Sequence, residues 1–567
     1  MILQSLSEYY QRNKSALPVF GRELKEIDFI IVIDKDGQFI RFEDRRINKS
    51  QAQKFLVKKS VVDRTRTPIA NFLYDDSSYV LGYSEKNDAT KHFKTFKKKV
   101  TEIQQKLTDN EEINALSIFY KKEPEAILEI VKQDPLWEEI VKNLKKKYSL
   151  FSFLLQGNDR IVAERDELID SLCDETGSDE KICLISGKKS KVVKTTTATM
   201  IPESLPKAKL VAFQENSGYD SYGKEKGMNA PISQESEFAY TTALNHMLAS
   251  DSRNKYYIGD RTFLFWSSNN NDACRQVEES IFSLFGFQDQ DDDPNRRIQQ
   301  VRKVFSSIYS GVLKTSLDDR FYILGLAPNR ARISVIYWAD IQLKEFASVI
   351  LRHFNDMEIV ATRKEKKSYT SLRSILSAVT QGGNPSDATP NLPDSIIKSI
   401  FQGTSYPYTL FASCIRRIRA EQNIGITRAA IIKAYLNRIN NTNQIKVMLD
   451  KDNPNQGYLC GRLFAVLDKI QGDANSQHSI RERYMNAASS TPAAVFSTIL
   501  NLSAHHSEKL SEGSKIFYEK LKQEIINKIS ADGFPTHLDL QDQGRFFVGF
   551  YHQQQDFFLK NSQQIEK

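Results

Sequence analysis

LVAFQENSGYDSYGKEKGMNAPISQESEFAYTTALNHMLA, residues Leu210–Ala249, is the stretch around which the rest of the chain is read. It opens on a short apolar run, Leu210 to Phe213, expected to be a strand. A polar loop follows, with Gly218, Gly223 and Gly227 set among Tyr219 and Tyr222. Pro231 and Ser233 close it. Ser233 is a good N-cap, and Glu235 and Glu237 fall in the first helical turn, where negative charge is favoured. Phe238, Tyr240, Leu244, Met247 and Leu248 then recur at roughly helical spacing. A glycine-rich loop carrying Tyr222, Lys224, Lys226 and Asn229 between a strand and a helix can bring backbone amides and cations close to phosphate. A plain surface loop that needs glycine for its turns would carry the same residues.

Composition bounds the function. The chain has 567 residues, enough for two to four domains. Apolar residues make up 40%, ordinary for a chain that buries a core. No window approaches the roughly 20 apolar residues of a membrane span. The first residues lack a signal-peptide pattern, so a cytoplasmic location is expected. A net charge of +8 is compatible with nucleic acid but does not establish it. Five cysteines fit reduced thiols. Cys173 and Cys183 lack the paired spacing of a zinc site and read as ordinary thiols. Cys274, Cys414 and Cys460 read as core residues.

Taken in order, the chain begins with a helix whose face holds Leu3, Leu6, Tyr9 and Tyr10. Phe29–Ile33 and Gln38–Phe42 flank an Asp-Gly turn and predict a β-hairpin. A basic stretch follows: Lys54, Lys58, Lys59, Arg64 and Arg66, before Pro68 and Asn71. Its turn and strand punctuation predicts a loop. There lysine and arginine can neutralise phosphates, and arginine or asparagine can address base edges. A second basic cluster, Lys91 to Lys99, reads more simply as a solvated helix face. Leu150–Leu155 and Arg160–Ala163 flank Gly157-Asn158-Asp159 and predict a second hairpin. Lys255–Ile258 with Thr262–Trp266, and Phe321–Leu326 with Arg330–Trp338, predict two more. Arg330 and Arg332 flank the last turn and are candidates for a phosphate clamp, or equally for a salt bridge. Asp289 and Asp291 to Asp293 invite a metal-dependent nuclease reading. Consecutive loop aspartates splay apart, however, and read better as a solvated acidic loop.

Beyond Ile341 helical periodicity dominates. Arg417, Arg428 and Lys433 lie on successive helices as backbone-phosphate candidates, with an inter-domain charged face as the alternative. Tyr458 to Phe558 predicts five helices, long enough for a bundle of its own. No phosphate-binding loop, HExxH, nucleophile elbow or paired metal-ligand histidines appear, so no catalytic residue, metal or cofactor is assigned. The expected class is α+β. Mixed N-terminal and central regions with short antiparallel strands (1–150 and 151–340) precede a helical region (341–447) and a C-terminal all-α bundle (448–567).

Several motifs in order carry a further inference. SYGKEKGMNAPIS with AYTTALNHML, the opening MILQSLSEYYQR, FLVKKSVVDRTRTPIANFLYDDSSYVLGY, FYILGLAPNRARISVIYW, RRIRAEQNIGITRAAIIKAYLNR and GYLCGRLFAVLDKIQ together resemble the large subunit of the type I-C CRISPR interference complex, the Csd family. The resemblance spans nearly the whole chain. It implies a non-enzymatic subunit of a crescent-shaped RNA-guided complex, near the 5′ handle of the CRISPR RNA. Its partners would be target double-stranded DNA, a handle-binding subunit, backbone subunits, small subunits and a recruited helicase–nuclease. The N-terminal domain would sit against the protospacer-adjacent motif. DNA contacts are then expected from Lys58, Lys59, Arg64, Arg66, Asn71, Tyr222, Lys224 and Asn229. The resemblance also implies a small subunit made separately from an internal start, for which Met448 stands in the right place. The rival readings are a general RNA-binding scaffold and, with less support, the nuclease.

Overall fold

In the computed structural model, Phe29–Ile33 pairs antiparallel with Phe39–Asp44 across the expected Asp-Gly turn. The structure describes residues 2–49, 51–61, 68–85, 88–170, 180–199, 201–213, 221–249, 251–285, 294–361, 370–441, 444–474 and 480–565. Side chains are described for all of these but 221, 294–297 and 559–565. Arg64, Arg66, Cys173, Gly218, Tyr219 and the aspartates at 289–293 lie outside the described residues.

Two compact units divide the chain. The first comprises 1–200, 205–249 and 330–332; the second comprises 201–204, 250–329 and 333–567. In the first, Leu150–Leu155 does not form a hairpin with Arg160–Ala163. It pairs parallel with Phe29–Ile33, Phe29 opposite Phe151, while Val162–Glu164 is a short 3-10 turn. Both strands are buried on both faces, which suits the unbroken apolar run FIIVI and the run LFSFLL, interrupted only by Ser152, whose hydroxyl donates to the Leu73 carbonyl at 2.9 Å. The helix Thr90–Lys106 buries Phe93, Phe96, Val100 and Ile103 in this core. The lysines of the second basic cluster lie on its other faces, and Lys97 pairs with Glu123 at 3.3 Å. A solvated helix face is therefore the right reading of that cluster. Among the described residues Leu210–Phe213 forms no strand. Only Lys209 makes a single parallel bridge, to Arg332. Beyond that bridge the run joins no ladder among the described residues.

The second unit holds an antiparallel sheet built from Lys255–Ile258, Arg261–Ser267, Arg320–Asn329 and Arg332–Gln342. Helices Asp272–Phe285, Pro294–Ser310 and Leu343–Met357 are close to it in sequence, and their apolar faces join one core with it. That core continues without a break through the helices Gln456–Asp473, Ile480–Ser490, Pro492–Ser507, Glu512–Ile526 and Leu540–Ile565. Tyr551 donates to the Val360 carbonyl at 2.8 Å, and Val360 N–H donates to the Val447 carbonyl at 2.8 Å. Residues on the two sides of Met448 thus share packing. Burial lifts the thiols of Cys274, Cys414 and Cys460 to about 11, 12 and 12, as expected of core cysteines.

Two histidines of this unit are buried without charge. His353 Nε2–H donates to the Thr370 carbonyl at 2.9 Å, which leaves Nδ1 to accept from the Tyr406 hydroxyl at 2.8 Å. Burial brings its pKa down to about 4, and that of His552 down to about 3. In the unfolded chain each takes a proton near the ordinary value of about 6.5. The stability they contribute is therefore complete above that pH. It falls as pH drops through 6.5 toward 4 and 3, because only the unfolded state binds the protons. Urea unfolding between pH 7 and 5 should show stability declining with acid, and more shallowly in His353→Gln and His552→Gln. An equal slope in the variants would contradict this.

Candidate nucleic-acid interface

The helix Gln234–Leu248 begins where its capping residues place it. Ser233 Oγ accepts from Ser236 N–H at 3.1 Å, and the helix buries Phe238, Tyr240, Leu244 and Met247. Glu237 in its first turn is only 5% exposed and gathers three segments. Its carboxylate accepts from Lys59 Nζ at 2.9 Å and from Thr197 N–H at 2.6 Å. Lys59 also lies 5.2 Å over the Phe238 ring. The N-terminal basic stretch and the helix after the glycine loop thus meet through Lys59, whose charge balances a buried carboxylate. Lys58 is half-buried, with its ammonium 5.6 Å over the Phe72 ring. Asn71 is 3% exposed; its side-chain carbonyl accepts from Val61 N–H at 3.0 Å, at the edge of the segment that carries Arg64 and Arg66. Lys58, Lys59 and Asn71 are thus each engaged within this unit.

The glycine loop has a different character. Tyr222 is 98% exposed and holds a left-handed backbone, φ 59°, uncommon for a residue with a side chain. Lys224 is exposed beside it. Asn229 turns inward: its Nδ2 donates to the carbonyls of Lys224 and Lys226, both at 3.0 Å, and so braces the loop. The returning limb lies against the segment before the loop. Gly227 N–H donates to the Lys194 carbonyl at 3.0 Å, and Val193 N–H donates to the Ile232 carbonyl at 3.0 Å. A buried thiol anchors the same limb. Cys183 Sγ accepts from Ser233 N–H at 3.2 Å and from Ile185 N–H at 3.4 Å. Burial pushes this thiol up, but hydrogen bonds from Ser233, Ser236 and Ser186 outweigh it and bring the pKa down to about 6.

At the foot of the loop is a pocket of about 250 Å³ that the linear sequence did not reveal. Lys194, Lys207, Lys209 and Lys226 line it, with Val211 and Phe213 as apolar wall, and no carboxylate among its described lining residues. Four lysines from three segments converge there, a local clustering that the modest net charge does not convey. Its trace in the sequence is PKAKL at 206–210, which runs directly into the glycine-loop stretch. The segment Arg330–Arg332 belongs to this unit, and Arg330 has a left-handed φ of 55°. The Arg332 backbone bridges to Lys209 and the Arg330 carbonyl accepts from Leu205 N–H at 3.5 Å. Two candidate sets that are far apart in sequence, the turn at 330–332 and the central loop, therefore adjoin.

In the second unit the predicted cations are engaged internally. Arg417 and Arg428 both pair with Glu421. Arg428 also donates to the carbonyls of Ala378 at 2.8 Å and Asn423 at 2.7 Å. Lys433 is 4% exposed and donates to the carbonyls of Asn355 at 3.2 Å and Asp356 at 2.9 Å, at the end of the helix Leu343–Met357. Burial depresses its pKa. Met448 is exposed, in the irregular segment before Gln456–Asp473. Among the described residues no group of three or more His, Cys, Asp or Glu side chains could hold a metal ion, and no helix is long and apolar enough to cross a membrane.

A family model described as CRISPR-associated protein (Cas_Csd1) matches residues 6–558. No curated protein matches the chain.

Proposed function

The chain belongs to the Cas_Csd1 family of CRISPR-associated proteins, and on that premise we propose that it is the large subunit of an RNA-guided type I-C surveillance complex. In this reading the RNA supplies sequence specificity by pairing. The protein reads a short motif in the flanking DNA duplex and promotes strand opening, a division of labour that keeps the protein's own readout small. It works in the cytoplasm beside the handle-binding, backbone and small subunits, and cleavage falls to a recruited helicase–nuclease. The observation that carries the reading is the braced loop tip. An exposed aromatic, Tyr222, and an exposed cation, Lys224, stand beside a cluster of four lysines. A cation addresses phosphate, and an aromatic side chain can wedge an opened base step. Asn229 serves by holding the loop's shape. Arg64 and Arg66 would add contacts from the N-terminal stretch, with Lys58, Lys59 and Asn71 supporting its base.

Arg330 and Arg332 are proposed as backbone contacts next to the loop. Arg417, Arg428 and Lys433 act as scaffold, their internal partners holding helices that flank the core. A second product begun at Met448 would contain the helices from Gln456 onward. It would need a new cover for the face that Phe411 and Ile432 close over Gly544 here.

The test is binding of a matched protospacer duplex by the chain co-purified with its RNA-bearing partners. Tyr222→Ala and Lys224→Glu should each weaken motif-dependent binding about tenfold, about 1.4 kcal/mol, while leaving assembly intact. Unchanged motif-dependent binding in both variants would remove the loop from the DNA interface.

A further inference from the structure

The lysine pocket is narrower in purpose than a groove for duplex DNA. Its volume of about 250 Å³ falls below the roughly 300–1,000 Å³ of drug-sized sites, so it has room for one phosphate-bearing unit and not for stacked pairs. Lys207 and Lys209 come from the segment before the glycine loop, Lys226 from the loop's returning limb, and Lys194 from the bend after the strand Lys189–Lys191. Lysine acts as a compact point charge, which suits a phosphate approached from several sides. The lining also has apolar members, Val211 and the half-buried Phe213. Thr196 Oγ1 donates to the Val211 carbonyl at 2.6 Å and ties the segment that ends in Phe213 to the one that carries Lys194. Cations together with an aromatic side chain in one lining are the means by which proteins grip single strands, with phosphate on the charge and base on the ring.

We propose that this pocket takes one unpaired nucleotide of a single strand, its phosphate among Lys194, Lys207, Lys209 and Lys226 and its base against Phe213. The proposal rests on the nucleic-acid reading above but concerns a separate event: capture of a single strand, not reading of a duplex motif. The strand could be RNA or opened DNA. Both present the same phosphate and base, and parallel probes tell them apart.

The experiment uses the full-length chain and fluorescein-labelled six-nucleotide oligo(U) and oligo(dT), titrated at several salt concentrations. The double variant Lys194→Glu/Lys207→Glu changes two exposed side chains and should fold normally, as circular dichroism can verify. It should bind at least one of the two strands tenfold or more weaker. The companion Lys194→Gln/Lys207→Gln should lower the salt slope by about 0.7, the loss of one single-strand phosphate contact. Uridine or thymidine 5′-monophosphate should compete better than inorganic phosphate, and Phe213→Leu should remove that advantage. Equal competition by inorganic phosphate would mean a bare anion site and overturn the proposal, as would unchanged affinity in the lysine variants. Neither result touches the duplex reading, which is scored on motif-dependent binding by the assembled complex.

Discussion

Gly461→Val should cost the second unit its native packing. A Cβ at Gly461 would stand 1.9 Å from the Phe546 carbonyl oxygen and 2.7 Å from its carbon. Those are backbone atoms of the facing helix, and no rotamer change can move them aside. The same seam is tight elsewhere: a Cβ at Gly457 would meet the Asp542 oxygen at 2.5 Å, and one at Gly549 the Tyr458 oxygen at 2.3 Å. The helices Gln456–Asp473 and Leu540–Ile565 therefore run at backbone contact, which small residues alone permit. Prising them apart also disturbs Arg462. That residue is fully buried and donates to Gln553 at 3.1 Å, Glu524 at 3.2 Å and the Lys451 carbonyl at 3.2 Å. Its charge would lose partners in a dry core, which is strongly destabilising. Overpacking alone costs about 1–3 kcal/mol, and separation of two helix backbones lies at or beyond the upper end. Against a typical stability of about 5–15 kcal/mol, urea unfolding should show a large loss or no folded transition. Gly472→Ala is the control, since a Cβ there meets nothing within 4 Å, and it should be neutral or stabilising by up to about 1 kcal/mol. A wild-type midpoint for Gly461→Val would contradict the packing described. Because the seam lies wholly beyond Met448, a product begun there would inherit the same dependence.

Gly227→Val should cost nucleic-acid binding while sparing the fold. A Cβ at Gly227 would lie 2.5 Å from the Val193 carbonyl oxygen and 2.9 Å from that of Lys194. The limb must then lift off the segment beneath it and give up the hydrogen bond from Gly227 N–H to Lys194. Lys226 moves with it, and the Asn229 brace carries the displacement on to Lys224 and the loop tip. The core of Phe29–Ile33 and Leu150–Leu155 is elsewhere in the unit and is untouched. DNA affinity of the assembled complex should fall tenfold or more, with the thermal midpoint lowered by only a few degrees, as for a local loss of about 1–2 kcal/mol. Wild-type affinity would mean that the seat of the loop does not matter to binding.

The parts of the fold that were legible are those with a local cause. The turn at Asp36-Gly37 and the apolar runs that flank it specify one hairpin, and Ser233 with its acidic first turn specifies the central helix. What was not legible depends on partners distant in sequence. LFSFLL carries no sign that it will pair parallel with a strand about 120 residues earlier, and LVAF looks like a strand but lacks a ladder to join. The site divides in the same way. A polar, glycine-rich stretch is bound to be exposed, so Tyr222 and Lys224 could be nominated from sequence. Residue type does not tell direction, so Asn71, Lys433 and Arg428 looked as available as Lys224, yet each is engaged inside its unit. The lysine pocket is assembled from three segments, and no spacing rule could have joined them.

The most direct test of the central claim is selection from a pool of duplexes that share one matched protospacer but carry randomised flanking bases. The complex is formed by the chain with its RNA-bearing partners, and bound duplexes are sequenced. Strong enrichment of one short flanking motif, lost in Tyr222→Ala and Lys224→Glu, is the predicted result. Tight binding with no preference among flanks would contradict motif reading and leave the chain a general nucleic-acid binder or scaffold.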